Sequence, residues 1–132
     1  MALLRDYAPV RSGDLEVVQR SVAEALCPHR LDVTRGGGKV DAWFRHRRFR
    51  RTSVSDVSYG VPVGIQIRVC PSYFFVIRLA GKCQYVRQRK AIPLRHDRGG
   101  VISRGDEVCL QMSSDATILI PRIRCCAHSK TA

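Results

Sequence analysis

From Val63 to Val69 every second residue is apolar: Val63, Ile65, Ile67 and Val69 alternate with Gly64, Gln66 and Arg68. Successive side chains of a strand point to opposite faces, so this spacing predicts a strand half buried against a core. Shorter runs of strand-forming residues recur at Leu31–Thr34, Val54–Tyr59, Tyr73–Leu79, Cys83–Arg87, Val101–Ile102, Val108–Met112 and Thr117–Ile120. Tyr73–Leu79 is rich in aromatic and β-branched residues and reads as a central strand. Ile92-Pro93-Leu94 fits only an edge, because proline donates no ladder hydrogen bond. Turn signals separate the runs: the three glycines of Arg35–Lys39, then Gly60 and Pro62, Cys70-Pro71-Ser72, Gly81, Gly99-Gly100 and Gly105-Asp106. Short strands at roughly eight-to-twelve-residue spacing point to an antiparallel sandwich or barrel. Long helices do not alternate with the strands, which excludes a parallel α/β sheet.

One segment has the other period. In residues 13–26, Leu15, Val18, Val22, Ala25 and Leu26 recur at helical spacing, predicting one amphipathic helix. Asp14 suits its N-cap, Glu16 favours the positive end of its dipole, and Pro28 stops it. Residues 1–12 read as an irregular arm and 125–132 as a tail without pattern. A chain of 132 residues suits one domain with one core. No apolar run approaches the ~20 residues that span a bilayer, and the N-terminus lacks the apolar stretch of a secretory signal. A cytoplasmic location is expected, without a membrane partner.

Six cysteines, Cys27, Cys70, Cys83, Cys109, Cys125 and Cys126, tempt a disulfide reading. Most sit inside apolar runs, where a free thiol behaves as a small hydrophobe, and cytosolic thiols stay reduced. There is no Cys-x-x-Cys pair to anchor zinc.

Together these runs resemble a known family. The helix, then Leu26-Cys27-Pro28-His29-Arg30-Leu31, Val57-Ser58-Tyr59-Gly60-Val61-Pro62-Val63 and Tyr73–Gly81 are similar to the N-terminal cupin-like effector-binding domain of AraC-type transcriptional regulators. Gly100-Val101-Ile102-Ser103-Arg104-Gly105-Asp106 resembles that family's Gly-Val-Leu-Ser-Pro-Gly turn, with Arg104 where proline is usual. The resemblance covers residues 13–124 and carries structural motifs rather than catalytic ones. It implies a mostly β fold, a cupin-like jelly-roll barrel with one N-terminal helix. It further implies a small-molecule effector inside the barrel and a homodimer. Family members continue into two helix-turn-helix motifs, whereas this sequence ends at Ala132 with no helical pattern after residue 26. A sensing and dimerisation domain without its DNA-reading half is therefore expected, and direct sequence-specific DNA binding is not.

The chemistry-bearing residues fit a non-enzyme. Catalytic cupins resemble one another in a His-x-His pair followed by Glu and a later His. Here His29, His46, His96 and His128 are isolated in sequence, and Glu107 stands alone among acids of the late strands. A zinc or iron site needs about three convergent ligands, so neither metal nor other cofactor is expected. There is no Gly-x-Ser-x-Gly elbow, and Gly36-Gly37-Gly38-Lys39 lacks the spacing of a phosphate loop. Cys27 and His29 lie two apart, but Cys–His catalytic pairs normally come from distant segments, so Cys27 reads as a buried thiol at a helix end.

Two surface features bear on binding. Trp43, Tyr73, Phe75 and Tyr85 are the candidate walls of a ligand pocket, since a barrel of about eight strands just encloses one small ligand. The net charge is +12, and Arg45-His46-Arg47-Arg48-Phe49-Arg50-Arg51 holds five arginines. That run reads as a charged edge strand that discourages aggregation. Its alternative is a nucleic-acid or adaptor contact through Arg45, Arg47, Arg48, Arg50 and Arg51, with aromatics stacking on bases.

Overall fold

The computed structural model describes residues 9–33 and 39–123. Its helix is α1 (Leu15–Ala25), and its strands are β1 (Val10–Ser12), β2 (Arg30–Val33), β3 (Ala42–Arg48), β4 (Thr52–Ser58), β5 (Val63–Ile67), β6 (Tyr73–Ala80), β7 (Cys83–Arg87), β8 (Lys90–Pro93), β9 (Gly100–Ile102), β10 (Val108–Met112) and β11 (Thr117–Ile123). They form a six-stranded sheet, β1-β3-β4-β11-β6-β9, and a five-stranded sheet, β2-β5-β10-β7-β8. Every pairing is antiparallel. Buried side chains from both sheets and from α1 form one cluster. This is the mostly β, cupin-like arrangement that the alternation and the resemblance imply.

The helix follows its sequence signals. The Asp14 side chain accepts a hydrogen bond from Glu16 N–H at 3.0 Å, and the last turn closes with Leu26 N–H donating to Val22 O at 2.8 Å. Val18 and Val22 are its buried residues. Its C-terminal end is tied to the larger sheet, because Arg122 of β11 donates to the Ala25 carbonyl at 2.8 Å. A cation at that end also complements the helix dipole.

Two strand boundaries differ from expectation. Residues 10–12 of the expected irregular arm pair with β3 as strand β1. Strand β11 runs through Pro121 to Ile123, three residues beyond the Thr117–Ile120 run read from the sequence. Pro121 is paired with Val54 of β4, while the pairing with β6 steps from Leu119 to Arg122. A proline withholds one donor only, and a strand flanked on both sides has enough remaining bonds to absorb that loss. The expected tail, residues 125–132, and most of the glycine turn, residues 34–38, lie outside the described residues.

The edge assignments agree with the sequence: β8, containing Pro93, closes one edge of the smaller sheet, and β6 is internal to the larger. At Gly81, φ is +68° and an added Cβ would stand 2.5 Å from the Ala116 backbone, so the turn after β6 requires glycine. The Ser103–Asp106 turn docks on the Cys70 turn: Cys70 N–H donates to Asp106 O at 2.9 Å, and Gly105 N–H to Cys70 O at 2.7 Å.

Candidate ligand cavity

Between the sheets lies a cavity of ≈ 50 Å3. Val57, Phe74, Val76, Ile118 and Ile120 wall it from the larger sheet, and Ile65, Ile67 and Leu110 from the smaller. Val22 and Leu26 of α1 and its C-cap close one side. The walls arise from strand alternation: in β4, β6 and β11 the residues facing inward in register are Val57, Phe74 with Val76, and Ile118 with Ile120.

Among the described residues, only Cys27, His29 and Tyr59 bring polar side chains to this wall. Burial pushes the Tyr59 phenol well above its ordinary range, so it stays a neutral hydroxyl. Burial, with the nearby Cys70, pushes the Cys27 thiol up to about 11 despite the opposing influence of Arg122. A protonated thiol is a poor nucleophile, which agrees with the sequence reading of a buried structural cysteine.

His29 is placed by the segment that leaves α1. Pro28 forbids helix continuation, and Gln19 of α1 donates to the His29 carbonyl at 3.2 Å. The His29 ring folds back so that Nδ1 lies 3.1 Å from the Cys27 carbonyl oxygen. Nε2 is buried and has no hydrogen-bond partner among the described residues. Burial lowers the ring's pKa, and the bond to Cys27 opposes that only in part. His29 was set aside in the sequence because no second histidine stood near it. Its signal was instead the proline between helix end and strand, which turns the chain along the barrel rim.

An open groove of ≈ 1130 Å3 adjoins the other side of His29, lined among others by Arg30, Arg68, Arg87, Asp106 and Glu107. It is larger than the space between the sheets, and its walls carry charged side chains. The apolar space between the sheets is the better match to a small-molecule site, whose walls are predominantly hydrophobic.

The sequence-based pocket residues fall elsewhere. Tyr73 and Phe75 are 42% and 37% exposed on the outer face of β6, because Phe74 and Val76 take the inward positions. This corrects the expectation that Tyr73 and Phe75 wall the interior. Both phases of β6 are apolar, so periodicity alone does not choose between them. Trp43 also faces outward, with Arg45 stacked 5.0 Å over its ring, while Phe44 faces the core. Tyr85 packs against the core from the smaller sheet but does not reach the cavity wall.

The five arginines do not form one surface either. Arg45 is held by buried Asp56, and Arg47 stacks 4.8 Å over Phe49. Arg48 borders α1, and Arg50 and Arg51 are exposed at the β3–β4 turn. Among the described residues, β1 covers only Ala42–Phe44 of the outer side of β3. The basic half of β3 thus has the edge character the sequence suggested.

Among the described residues, no three of His, Cys, Asp and Glu come together as metal ligands. No helix among them is long and apolar enough to cross a membrane.

A two-sheet β fold with one N-terminal helix closing an apolar interior defines a cupin-like ligand-binding class. The profile of the AraC-binding-like domain family matches residues 18–130, and the chain belongs to that family. No curated protein sequence matches it. Its fold is similar to the AraC-like transcriptional activator CuxR, with TM-score 0.70 and 10% identity over 90% of this chain and 47% of that one. The chain thus spans about half the length of that activator. The predicted oxalate decarboxylase of Thermotoga maritima is similar at TM-score 0.51 and 13% identity, covering 92% of this chain and 96% of that one. The EutQ protein of Clostridium difficile is similar at TM-score 0.50 and 10% identity, covering 90% and 95%. At these identities the likenesses establish the fold alone.

Proposed function

We propose that this chain is a non-enzymatic, cytoplasmic effector-sensing domain serving transcriptional control, with a small molecule bound between the sheets. The carrying observation is the apolar cavity of ≈ 50 Å3 between the sheets, bordered by α1. Family membership and likeness to an AraC-like activator support the regulatory setting. Catalysis is disfavoured because the wall offers a protonated thiol, a neutral phenol and one imidazole, with no convergent ligand set among the described residues.

Ligand burial would hold α1 against the barrel and bias the surface presented to a second copy or to a partner. The exposed Tyr73, Phe75, Val101 and Ile123 of the larger sheet's outer face support such a contact surface. Sequence-specific DNA reading is not assigned to this barrel.

A thermal-shift screen of small uncharged metabolites tests the reading. A true effector gives a saturable rise in Tm, equivalent to about 2.7 kcal/mol at a hundredfold excess over Kd. Val57→Ile with Val76→Ile, which fill the cavity, should abolish the rise while preserving the fold. A rise that survives filling would place the ligand elsewhere, and the absence of any saturable rise would count against sensing.

A further inference from the structure

Exposed apolar surface is concentrated on one face of the larger sheet. Eleven large hydrophobic side chains are exposed among the described residues, and six of them, Phe49, Tyr73, Phe75, Leu79, Val101 and Ile123, belong to that outer face or to the β3–β4 turn at its end. Tyr73, Phe75 and Leu79 alternate with the buried Phe74 and Val76 along β6. Register sets Ile123 of β11 beside Tyr73 and Val101 of β9 beside Phe75, so the patch crosses three adjacent strands. Clustering of this kind, rather than scattered single residues, marks an interaction surface.

Both borders of the patch are basic. On the β3 side stand Arg47, stacked over Phe49, and the exposed Arg50 and Arg51 of the turn. On the β9 side the exposed Arg95 and Arg98 lie in the turn that leads into the strand, and Arg104 follows it. The acids nearby leave this sign unchanged. Asp56 is bound by Arg45, Asp106 accepts the Ser103 N–H, and Asp97 shares its turn with two arginines.

Geometry and charge narrow the occupant. Inner strands of a sheet have their backbone groups paired already, so whatever covers the face must satisfy its own backbone, as a helix does. From Tyr73 to Leu79 the patch runs ~20 Å at ~3.3 Å per residue, and its three strands lie ~4.8 Å apart. A helix is about 10–12 Å across with its side chains and covers that length in about 13 residues. A second copy pairs the same patch with itself and sets basic borders against basic borders, in a chain whose net charge is already +12.

We propose that this face docks an acidic amphipathic helix of a partner protein. Its apolar stripe would cover Phe75, Val101 and Ile123, and carboxylates on either side of the stripe would meet Arg50 at one border and Arg98 at the other. This rests on the reading of the outer face as a contact surface and names the chemistry of the partner.

The probes are two peptides of about 14 residues with one leucine stripe at helical spacing, bordered by glutamate in the first and by lysine in the second. Each is titrated into the full chain carrying labelled methyl groups. The Leu79, Val101 and Ile123 methyls should shift saturably at about tenfold lower concentration of the glutamate peptide, which should gain helical circular dichroism as it binds. Val101→Glu should abolish these shifts, and Arg50→Glu with Arg98→Glu should remove the preference for glutamate. If Val101→Glu does not fold, the wild-type comparison and the arginine pair still decide. Equal midpoints for the two peptides would overturn the acidic preference and leave the contact surface standing. Dimerisation in sedimentation, or co-sedimentation with phosphatidylglycerol vesicles, that is lost in Val101→Glu would give the face to a second copy or to a membrane and overturn the acidic helix. No shift with either peptide, and neither dimer nor vesicle binding, would overturn the helix and the contact surface together.

Discussion

Arg45 grips Asp56 with two parallel hydrogen bonds across the β3–β4 pair, Nε to Oδ1 at 3.0 Å and Nη2 to Oδ2 at 2.6 Å. The Asp56 side chain is 1% exposed and that of Arg45 20%, so the pair is shielded from solvent rather than a surface ion pair. Trp43 lies under the same guanidinium. One arginine of the basic run is thereby a structural partner, not a free contact for phosphate.

Removing one member leaves the other charge buried. Asp56→Ala should destabilise the protein by about 3 kcal/mol in urea unfolding, the lower end for breaking a buried pair. Arg45→Met combined with Asp56→Leu should recover most of that loss, since two apolar groups leave nothing unsatisfied. A cost below ~1 kcal/mol for Asp56→Ala would mean that the pair behaves as a solvated one.

Much of the fold was legible because strand period and turn residues are local signals. The Asp14 cap, the placement of Pro93 at an edge and the alternation of Val63–Ile67 carry over directly. The site was less legible. On β6 both faces carry large apolar residues, so which face meets the core depends on its neighbours β11 and β9 rather than on β6 itself. The value of His29 depends on a ring rotation toward Cys27 O and on a cavity built by distant strands, and neither leaves a period in the sequence.

The β7–β8 hairpin carries removable strain. Arg87 pairs with Lys90, and between them Gln88 and Arg89 have φ of +52° and +65°. Two consecutive left-handed residues define the mirror-image turn that favours Asn-Gly. Gln88→Asn with Arg89→Gly should raise stability by about 1 kcal/mol, seen as a higher urea midpoint at unchanged slope. A lower midpoint would show that the wild-type side chains contribute more than the turn strain costs.

The cysteines should separate by accessibility. Cys27, Cys70 and Cys83 are buried free thiols, while Cys109 is half-buried. Burial pushes Cys27 and Cys83 up to about 11 and raises Cys70. At pH 8 a thiol with that value is thiolate in only about one molecule in a thousand, and the thiolate is the nucleophile. Among these residues, iodoacetamide should modify Cys109 first in the native protein. The other three should react only as fast as the barrel opens, as read by peptide mass analysis. Rapid native modification of Cys27 would contradict its enclosure by α1.

His29 gives stability a dependence on mildly acidic pH. Its folded pKa lies below the ordinary value of about 6.5 because the ring is buried, with the Cys27 hydrogen bond opposing in part. As pH falls below about 6.5 the unfolded chain takes up a proton that the folded chain resists, so stability declines. The loss levels off once pH passes below the folded value, and above 6.5 this residue contributes no slope. One such group gives at most about 1.4 kcal/mol per pH unit. Arg30, Arg68, Arg87, Asp106 and Glu107 are the charged groups of the adjoining groove that His29 also lines. Urea unfolding of wild type and His29→Phe at pH 7.5, 6.5 and about 5.5 isolates the effect. The wild type should lose stability relative to the variant as pH falls. A constant difference would mean that the ring takes up its proton equally well folded and unfolded, and one that moves the other way that the folded protein favours the charged ring, with a hydrogen on Nε2.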